Sequence, residues 1–266
     1  MSVAIPLSDQ LGIEVAFANA FADKARVIAL RYFRQPHGLT MKADETPVTM
    51  ADTEIEAVFR NEAEVRFAQD GIFGEETGVS GQERDRIWVI DPIDGTGAFA
   101  TGSPQFGVLL SLVTKGRAEF GIIDACAMGE RWFARRGSGA TLNGVACAVS
   151  GQTTLANASI SSTSIHQYEA WERQVFDRLA SAAAFARLGG DCYAYGLLAA
   201  GHLDLVIECG LKPFDFMALT VIIEEAGGVI SDWNGQPLSL KSDGRVLASA
   251  SYELHNEALG VISATR

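Results

Sequence analysis

The sequence is poor in the residues that build several common kinds of site. Histidine and cysteine each occur only four times in 266 residues. No two histidines stand at metal-ligand spacing and there is no C-x-x-C pair, which argues against a zinc site of the usual His/Cys type. Cys126, Cys147, Cys192 and Cys209 are scattered, and they read as reduced, mostly buried residues of a cytoplasmic protein. Basic runs are missing and the formal net charge is -12, so nucleic acid and anionic membrane are poor partners on charge grounds. Apolar runs such as Val108-Leu109-Leu110 are far too short to span a bilayer. The opening segment MSVAIPLSDQ lacks the basic and apolar parts of a signal peptide.

What is present is a large apolar complement, 48% hydrophobic against 20% charged, ample for one big domain or two smaller ones. Ser8 to Arg34 has a wide apolar arc and is expected to form a long helix buried on two sides. Gln35 to Pro47 is polar and broken by Pro and Gly, so it reads as a loop. Thr49 to Asp52 matches a capping box opening a second helix with Ile55, Val58, Phe59 and Val65 on it. Ile87 to Ile90 reads as a short buried strand. Phe106 to Val113, Ala118 to Asp124 and Arg131 to Ala134 read as antiparallel strands, with Thr114 to Arg117 as the first turn. Beyond Asn143-Gly144, short strands (Leu203 to Ile207, Gly228 to Ser231) alternate with helices such as Phe214 to Ala226, which Gly227-Gly228 would end. The expected class is α/β or α+β. Residues 1–145 would form an N-terminal α+β subdomain and residues 146–266 a C-terminal α/β subdomain.

The chemistry concentrates where apolar segments end in acids. In WVIDPIDGTGAF, Trp88 to Phe99, Asp91 and Asp94 follow a buried-looking strand and precede Gly95-Thr96. Taken alone, D-P-x-D-G reads equally well as a turn with Pro and Gly in favoured places or as a functional site. Two neighbours change the balance. FGEETG puts Glu75 and Glu76 after Ile72-Phe73, and KPFDF puts Asp215 in the first turn of an apolar helix. An unpaired charge at such an edge is costly. An all-oxygen set points to a hard cation, Mg²⁺ by default. Two ions would clamp the attacking and leaving oxygens of a phosphoryl transfer. Gly95 would let the backbone approach a phosphate, N–H groups of a short following helix would meet its oxygens, and Thr96 would offer a hydroxyl to position a water.

These motifs together, VTMAD, GEE, WVIDPIDGT and FDF…EEAGG, resemble the inositol monophosphatase family of Mg²⁺-dependent phosphatases, over roughly Ser8 to Leu259. The resemblance implies a layered αβαβα sandwich assembled as a homodimer. It implies two or three Mg²⁺ per site, held by Glu75, Asp91, Asp94 and Asp215 with the Ile93 carbonyl. It implies a catalytic group of Glu75, Asp52 and Thr96, with Asp52 orienting Thr96 for water activation, and a phosphate held by the amides of Gly95 and Thr96. Glu76 is then the less direct member of its pair. Leu188 to Leu238 looks like the histidinol-phosphatase branch: Phe214, not Trp, precedes the last acid, and Asp191 and Glu208 would face the non-phosphate part of the substrate. Two carboxylates there suit a cationic amino alcohol such as L-histidinol phosphate. Gly97 departs from the branch, where a basic residue often follows D-G-T.

Plainer roles stand beside these. Asp191 could cap a helix over Cys192 to Ala200, Glu208 could be a solvated strand end, and Asp52 could serve only its capping box. Lys42 reads as a solvated loop lysine. His166 and His202 receive no role, and Trp132 and Trp233 are packing residues. The expected activity is phosphate-monoester hydrolysis of L-histidinol phosphate, in histidine biosynthesis, by in-line attack of an activated water. No nucleophile motif calls for a phosphoenzyme. The alternatives are an inositol-1-phosphate or broad sugar-phosphate phosphatase, and an inactive metal-binding or regulatory protein on the same fold.

Overall fold

The computed structural model describes residues 11–35, 40–41 and 47–265; Lys42 and Ser8 lie outside them. The chain runs α1 (Gly12–Tyr32), β1 (Thr40–Met41), β2 (Pro47–Val48), α2 (Met50–Arg66), β3 (Gly71–Gly74), β4 (Gly78–Ser80), β5 (Arg86–Asp94), α3 (Thr96–Ala100), β6 (Gly107–Thr114), β7 (Arg117–Ala125), β8 (Glu130–Arg135), β9 (Ala140–Leu142) and β10 (Val145–Cys147). It continues through β11 (Ser159–Ser162), α4 (Ala170–Ala182), β12 (Phe185–Leu188), α5 (Asp191–Ala199), β13 (Leu205–Glu208), α6 (Pro213–Glu225), β14 (Val229–Ser231), β15 (Val246–Ser249) and α7 (Tyr252–Ser263). One sheet has the order β10-β9-β8-β7-β6-β5-β3-β4, and a second the order β12-β11-β13-β15-β14.

Three apolar cores, the middle one covering both faces of the central helix layer, hold together five layers, the αβαβα sandwich expected. In the first core, Phe17 and Phe21 of α1 and Ile55 and Phe59 of α2 meet Trp88, Ile90, Leu110 and Phe120 of the first sheet. In the second, Val89, Leu109 and Ile123 from the opposite face of that sheet meet α5, α6 and Val206 and Ala248 of the second sheet. In the third, Leu205, Ile207 and Leu247 meet Val175 and Leu179 of α4 and Leu254 and Ile262 of α7. Both faces of each sheet are therefore covered, which is why β5 and β6 read as unbroken apolar runs and not as alternating ones. Helix α1 packs on α2 and on β6 and β7, as its wide apolar arc requires, while Ile13 and Val27 are exposed.

Several boundaries depart from expectation. The polar stretch after α1 is not wholly loop: β1 and β2 pair antiparallel, Thr40 opposite Val48. Val65 is exposed, not part of the core stripe of α2. The most consequential departure is β5. It continues past Ile90 to Asp94, and Asp94 still pairs with Gly107 of β6 across an irregularity between Asp91 and Asp94. The acids thus stand on a bulged strand end and not on a free turn. Bulges re-aim side chains in this way. The strands change sheets between β10 and β11, but α5 and α6 of the second half pack on the first sheet.

Candidate active site

Four local features converge on one edge of the first sheet. Strands β3 and β5 are parallel, with Gly74 opposite Ile90, so the next residues along them, Glu75 and Asp91, come side by side. Helix α2 begins at a capping box in which Asp52 Oδ2 accepts from the Thr49 N–H at 2.9 Å and from Thr49 Oγ1 at 2.5 Å. Helix α6 begins with Pro213, and Asp215 in its first turn accepts from the Lys212 N–H at 2.6 Å. The bulge of β5 turns Asp94 toward α5, where the Cys192 N–H donates to its Oδ2 at 2.5 Å. Asp91 Oδ1 accepts from the Ile93 N–H at 3.0 Å, which tightens the bulge.

The acids gather in two groups. Carboxylate oxygens of Asp52, Glu75 and Glu76 lie within 4.8 Å of one another, as do those of Asp91, Asp94 and Asp215. Glu76, expected to be the less direct member of its pair, stands in the first group with Glu75. Asp52 is fully buried and its Oδ1 has no hydrogen-bond partner. Burial, with Glu75 adding repulsion, pushes the Asp52 carboxyl up to about 6. Burial raises Asp91 well above the usual range, with Glu75, Asp94 and Asp215 adding to it. Asp94 and Asp215 are raised by burial, and Asp94 further by its repulsion from Asp215. Oxygen-only donors, crowded together and buried or half-buried, fit hard divalent cations.

The Thr96 hydroxyl donates to the Ile93 carbonyl at 3.0 Å. Its partner is thus on the strand end, while Thr49 takes Asp52 Oδ2 and leaves Asp52 Oδ1 open. Gly95 caps the short helix α3 with φ at 83°. A side chain there would meet the Asp191 carboxylate and the Gln105 carbonyl at 3.0 Å, so glycine is required both for conformation and for room.

A pocket opens beside the second acid group. Asp94 and Asp215 line it together with Asp191, Glu208, Thr163 and Tyr168. Asp191 is not a capping residue: Gly190 is the N-cap of α5, no side-chain cap bond forms, and Asp191 has φ at 44°. Asp tolerates this left-handed region better than most residues. Glu208 is buried and not a solvated strand end. Its Oε1 accepts from the Thr163 N–H at 2.9 Å and Thr163 Oγ1 at 2.5 Å, and Thr163 Oγ1 in turn accepts from the Asp191 N–H at 3.0 Å. Burial pushes Glu208 up to about 7. Burial first, and then Asp94, raises Asp191. The link through Thr163 has no sequence signature, because Thr163 follows β11 and joins α5 to β13 only in the fold.

Comparison with known proteins agrees with this arrangement. The family model for the inositol monophosphatase family matches residues 12–265. The chain is 37% identical to the bifunctional phosphatase IMPL2 of Arabidopsis thaliana over 95% of its own length and 76% of that protein. It is 35% identical to a histidinol-phosphatase of Chlorobaculum parvum, over 89% of this chain and 92% of the other. An inositol monophosphatase structure from Zymomonas mobilis superposes with a TM-score of 0.89 at 39% identity, over 96% of this chain and 99% of that one. With its layered fold, and with acid clusters able to hold metal ions at one sheet edge, the chain belongs to the inositol monophosphatase family of phosphatases.

Proposed function

We propose that the protein is a Mg²⁺-dependent phosphomonoesterase that hydrolyses L-histidinol phosphate. The observation that carries the substrate assignment is the pocket beside Asp94 and Asp215. Its walls include Asp191 and Glu208, and among the described residues no lysine or arginine pairs with either. Two carboxylates without a counter-charge, Glu208 buried and Asp191 half-buried, favour a cationic ligand over a neutral cyclitol. The likeness to histidinol-phosphatases over most of the chain supports the same reading.

In this proposal Glu75, Asp91, Asp94, Asp215 and the Ile93 carbonyl hold the metal. Mg²⁺ suits an all-oxygen donor set and supplies charge neutralisation at phosphorus and acidification of water. Gly95 and Thr96 present amides to the phosphate. Thr96 Oγ1, its proton given to the Ile93 carbonyl, keeps lone pairs to accept from the attacking water. Asp52 Oδ1, unpartnered beside Glu75, is placed to take the proton released. Asp191 and Glu208 hold the ammonium or imidazole end of the alcohol. The homodimer and cytoplasmic location belong to the same proposal. A second reading, an inositol-1-phosphate phosphatase, draws support from the Zymomonas mobilis structure at 39% identity.

The test is phosphate release from L-histidinol phosphate, inositol 1-phosphate and glycerol phosphate at fixed Mg²⁺. The proposal requires the highest kcat/KM on histidinol phosphate. A preference for inositol 1-phosphate moves the second reading to first place. Release from none of them, with Mg²⁺ bound, would point to an inactive metal-binding protein.

A further inference from the structure

Helix α2 carries three polar residues at successive turns, Asp52, Glu56 and Arg60, on the side that faces the β3–β4 hairpin. Glu56 is only 1% exposed, and no apolar pattern or motif in the sequence explains it. In the fold its carboxylate reaches the loop between β3 and β4. Glu56 Oε2 accepts from the Glu76 N–H at 2.7 Å. Glu56 Oε1 accepts from the Thr77 N–H at 3.1 Å and from Thr77 Oγ1 at 2.5 Å. Arg60 Nε donates to the same Oε1 at 2.9 Å, and its Nη2 and Nη1 donate onward to the Gly78 carbonyl at 2.5 Å and to Ser80 Oγ at 3.3 Å. On the other side of the loop, a side chain on Gly74 would meet the Glu56 carboxyl carbon at 2.4 Å. The residue before Glu75 is therefore pressed against this carboxylate, and the residues after it are bonded to it.

We propose that Glu56, braced by Arg60, is a positioning residue that presets Glu75 for metal binding and ties it to Asp52. Gly74 and Gly78 are partners across the hairpin, so Glu75, Glu76 and Thr77 form its three-residue loop. Such a loop has no ladder bonds of its own to hold a side chain in place. Glu56 supplies them from the helix whose first turn bears Asp52. One rigid element thus presents both Asp52 and the Glu75 loop, and their oxygens come within 4.8 Å. The clamp has its own counter-charge in Arg60, so it forms before any cation arrives. Ligand-supporting groups of this kind set metal affinity by restricting ligand geometry in advance. The inference rests on the reading of Glu75 as a metal ligand.

Glu56→Gln tests it. Glutamine keeps the volume but offers one acceptor oxygen, and its amide N–H₂ faces N–H donors. Isothermal titration calorimetry should show Mg²⁺ binding weakened about 10-fold, within the ~10–100-fold range for groups that orient ligands. The Mg²⁺ concentration for half-maximal activity should rise by the same factor, with kcat at saturating Mg²⁺ within about 3-fold of wild type. A role in packing alone would lower Tm and leave Mg²⁺ affinity unchanged, and that result overturns the inference. Thr77→Val, which removes one of the three loop bonds and leaves the helix intact, decides the matter if the glutamine variant does not fold. About 3-fold weaker Mg²⁺ binding by folded Thr77→Val supports the clamp, and wild-type binding overturns it. Glu75→Gln is the control for the underlying reading. If it leaves Mg²⁺ binding unchanged, the ligand assignment itself is wrong; if it weakens binding while Glu56→Gln does not, only the clamp is wrong.

Discussion

Buried and half-buried carboxylates occur in this molecule in two settings. Asp124, fully buried on β7, is gripped by Arg26 at 2.8 and 3.0 Å and by Arg131 at 2.6 Å. Glu56 has Arg60, and Glu172 has Arg245 at 2.8 Å. Asp52, Asp91, Asp94, Asp191, Glu208 and Asp215 have no such partner among the described residues. All six are raised by burial, and repulsion from neighbouring carboxylates adds to it, for Asp52 from Glu75. The first setting is structural: each acid arrives with its cation and the pair closes. The second is incomplete. Under the proposed function its positive charge comes from outside, as metal ions at one group and as a cationic ligand in the adjoining pocket. Sites of function commonly keep such locally unfavourable arrangements at some cost in stability.

The contrast is broken most directly at Asp94. Asp94→Asn keeps shape and the acceptor for the Cys192 N–H but removes the charge. The expected loss in kcat is at least ~10²-fold, the scale of losing one electrostatic stabiliser, with an unchanged circular dichroism spectrum. Asp124→Asn, measured in parallel, should keep kcat within a few-fold. Near-wild-type turnover by Asp94→Asn would mean that the bulged strand end is structural after all.

Next in size is the substrate pocket. Because Asp191 has positive φ, asparagine is the informative change: it tolerates that backbone region, whereas alanine would add strain. Asp191→Asn should lower kcat/KM for L-histidinol phosphate by roughly 30-fold, corresponding to about 2 kcal/mol for one partner of a buried charge contact. Turnover of glycerol phosphate should change by only a few-fold. Equal losses on both substrates would place Asp191 in the general architecture of the site and remove the carboxylate argument for a cationic alcohol.

How much of this contrast is visible in the sequence depends on how local its causes are. Asp91, Asp94, Glu75 and Asp215 each sit one or a few residues from an apolar segment, so their place at the edge of a core is legible. So is the capping box at Thr49 and Asp52. The continuous apolar reading of β5 correctly marks a strand covered on both faces. What cannot be read is set by pairing between distant segments. The bulge between Asp91 and Asp94 exists because β6 keeps pairing through Gly107. Asp191 looks like a cap because its side chain is a good one, and only the left-handed φ and the approach of Gly95 turn it toward the pocket. Glu56 and Arg60 belong to no motif in the sequence, and their part emerges only where β3 and β4 lie against α2. Asp124 is unremarkable in a strand until Arg26, from 98 positions earlier, meets it.

Stability should separate the two settings in the opposite sense from activity. In the metal-free protein, Asp124→Asn leaves Arg26 and Arg131 facing a neutral amide, at a cost of about 3 kcal/mol, the lower end for a broken buried pair because both arginines are partly exposed. Asp94→Asn removes a charge that lacks a cationic partner, so chemical denaturation in chelator should give a stability equal to or above wild type. A comparable loss in both variants would show that Asp94 is satisfied without metal and that the distinction between settings is false.

The smallest expected effect is a dependence on pH, and it sharpens the same point. In the metal-free fold, burial holds protons on Asp52 up to about 6 and on Glu208 up to about 7, against ordinary values of 3.8 and 4.5. Between those limits the folded chain binds more protons than the unfolded chain, so this contribution to stability is present below about pH 4 and is lost as pH rises through 6 to 7. Metal ions act the other way, because they bind the deprotonated carboxylates and release protons. Titrating groups away from the acid clusters contribute equally with and without metal, so the informative quantity is the difference in Tm between excess Mg²⁺ and chelator. That difference should widen steadily from pH 5 to pH 8. A difference independent of pH would mean that Mg²⁺ meets carboxylates already ionised in the metal-free fold, and the acids of the site would then resemble Asp124 more closely than the geometry implies.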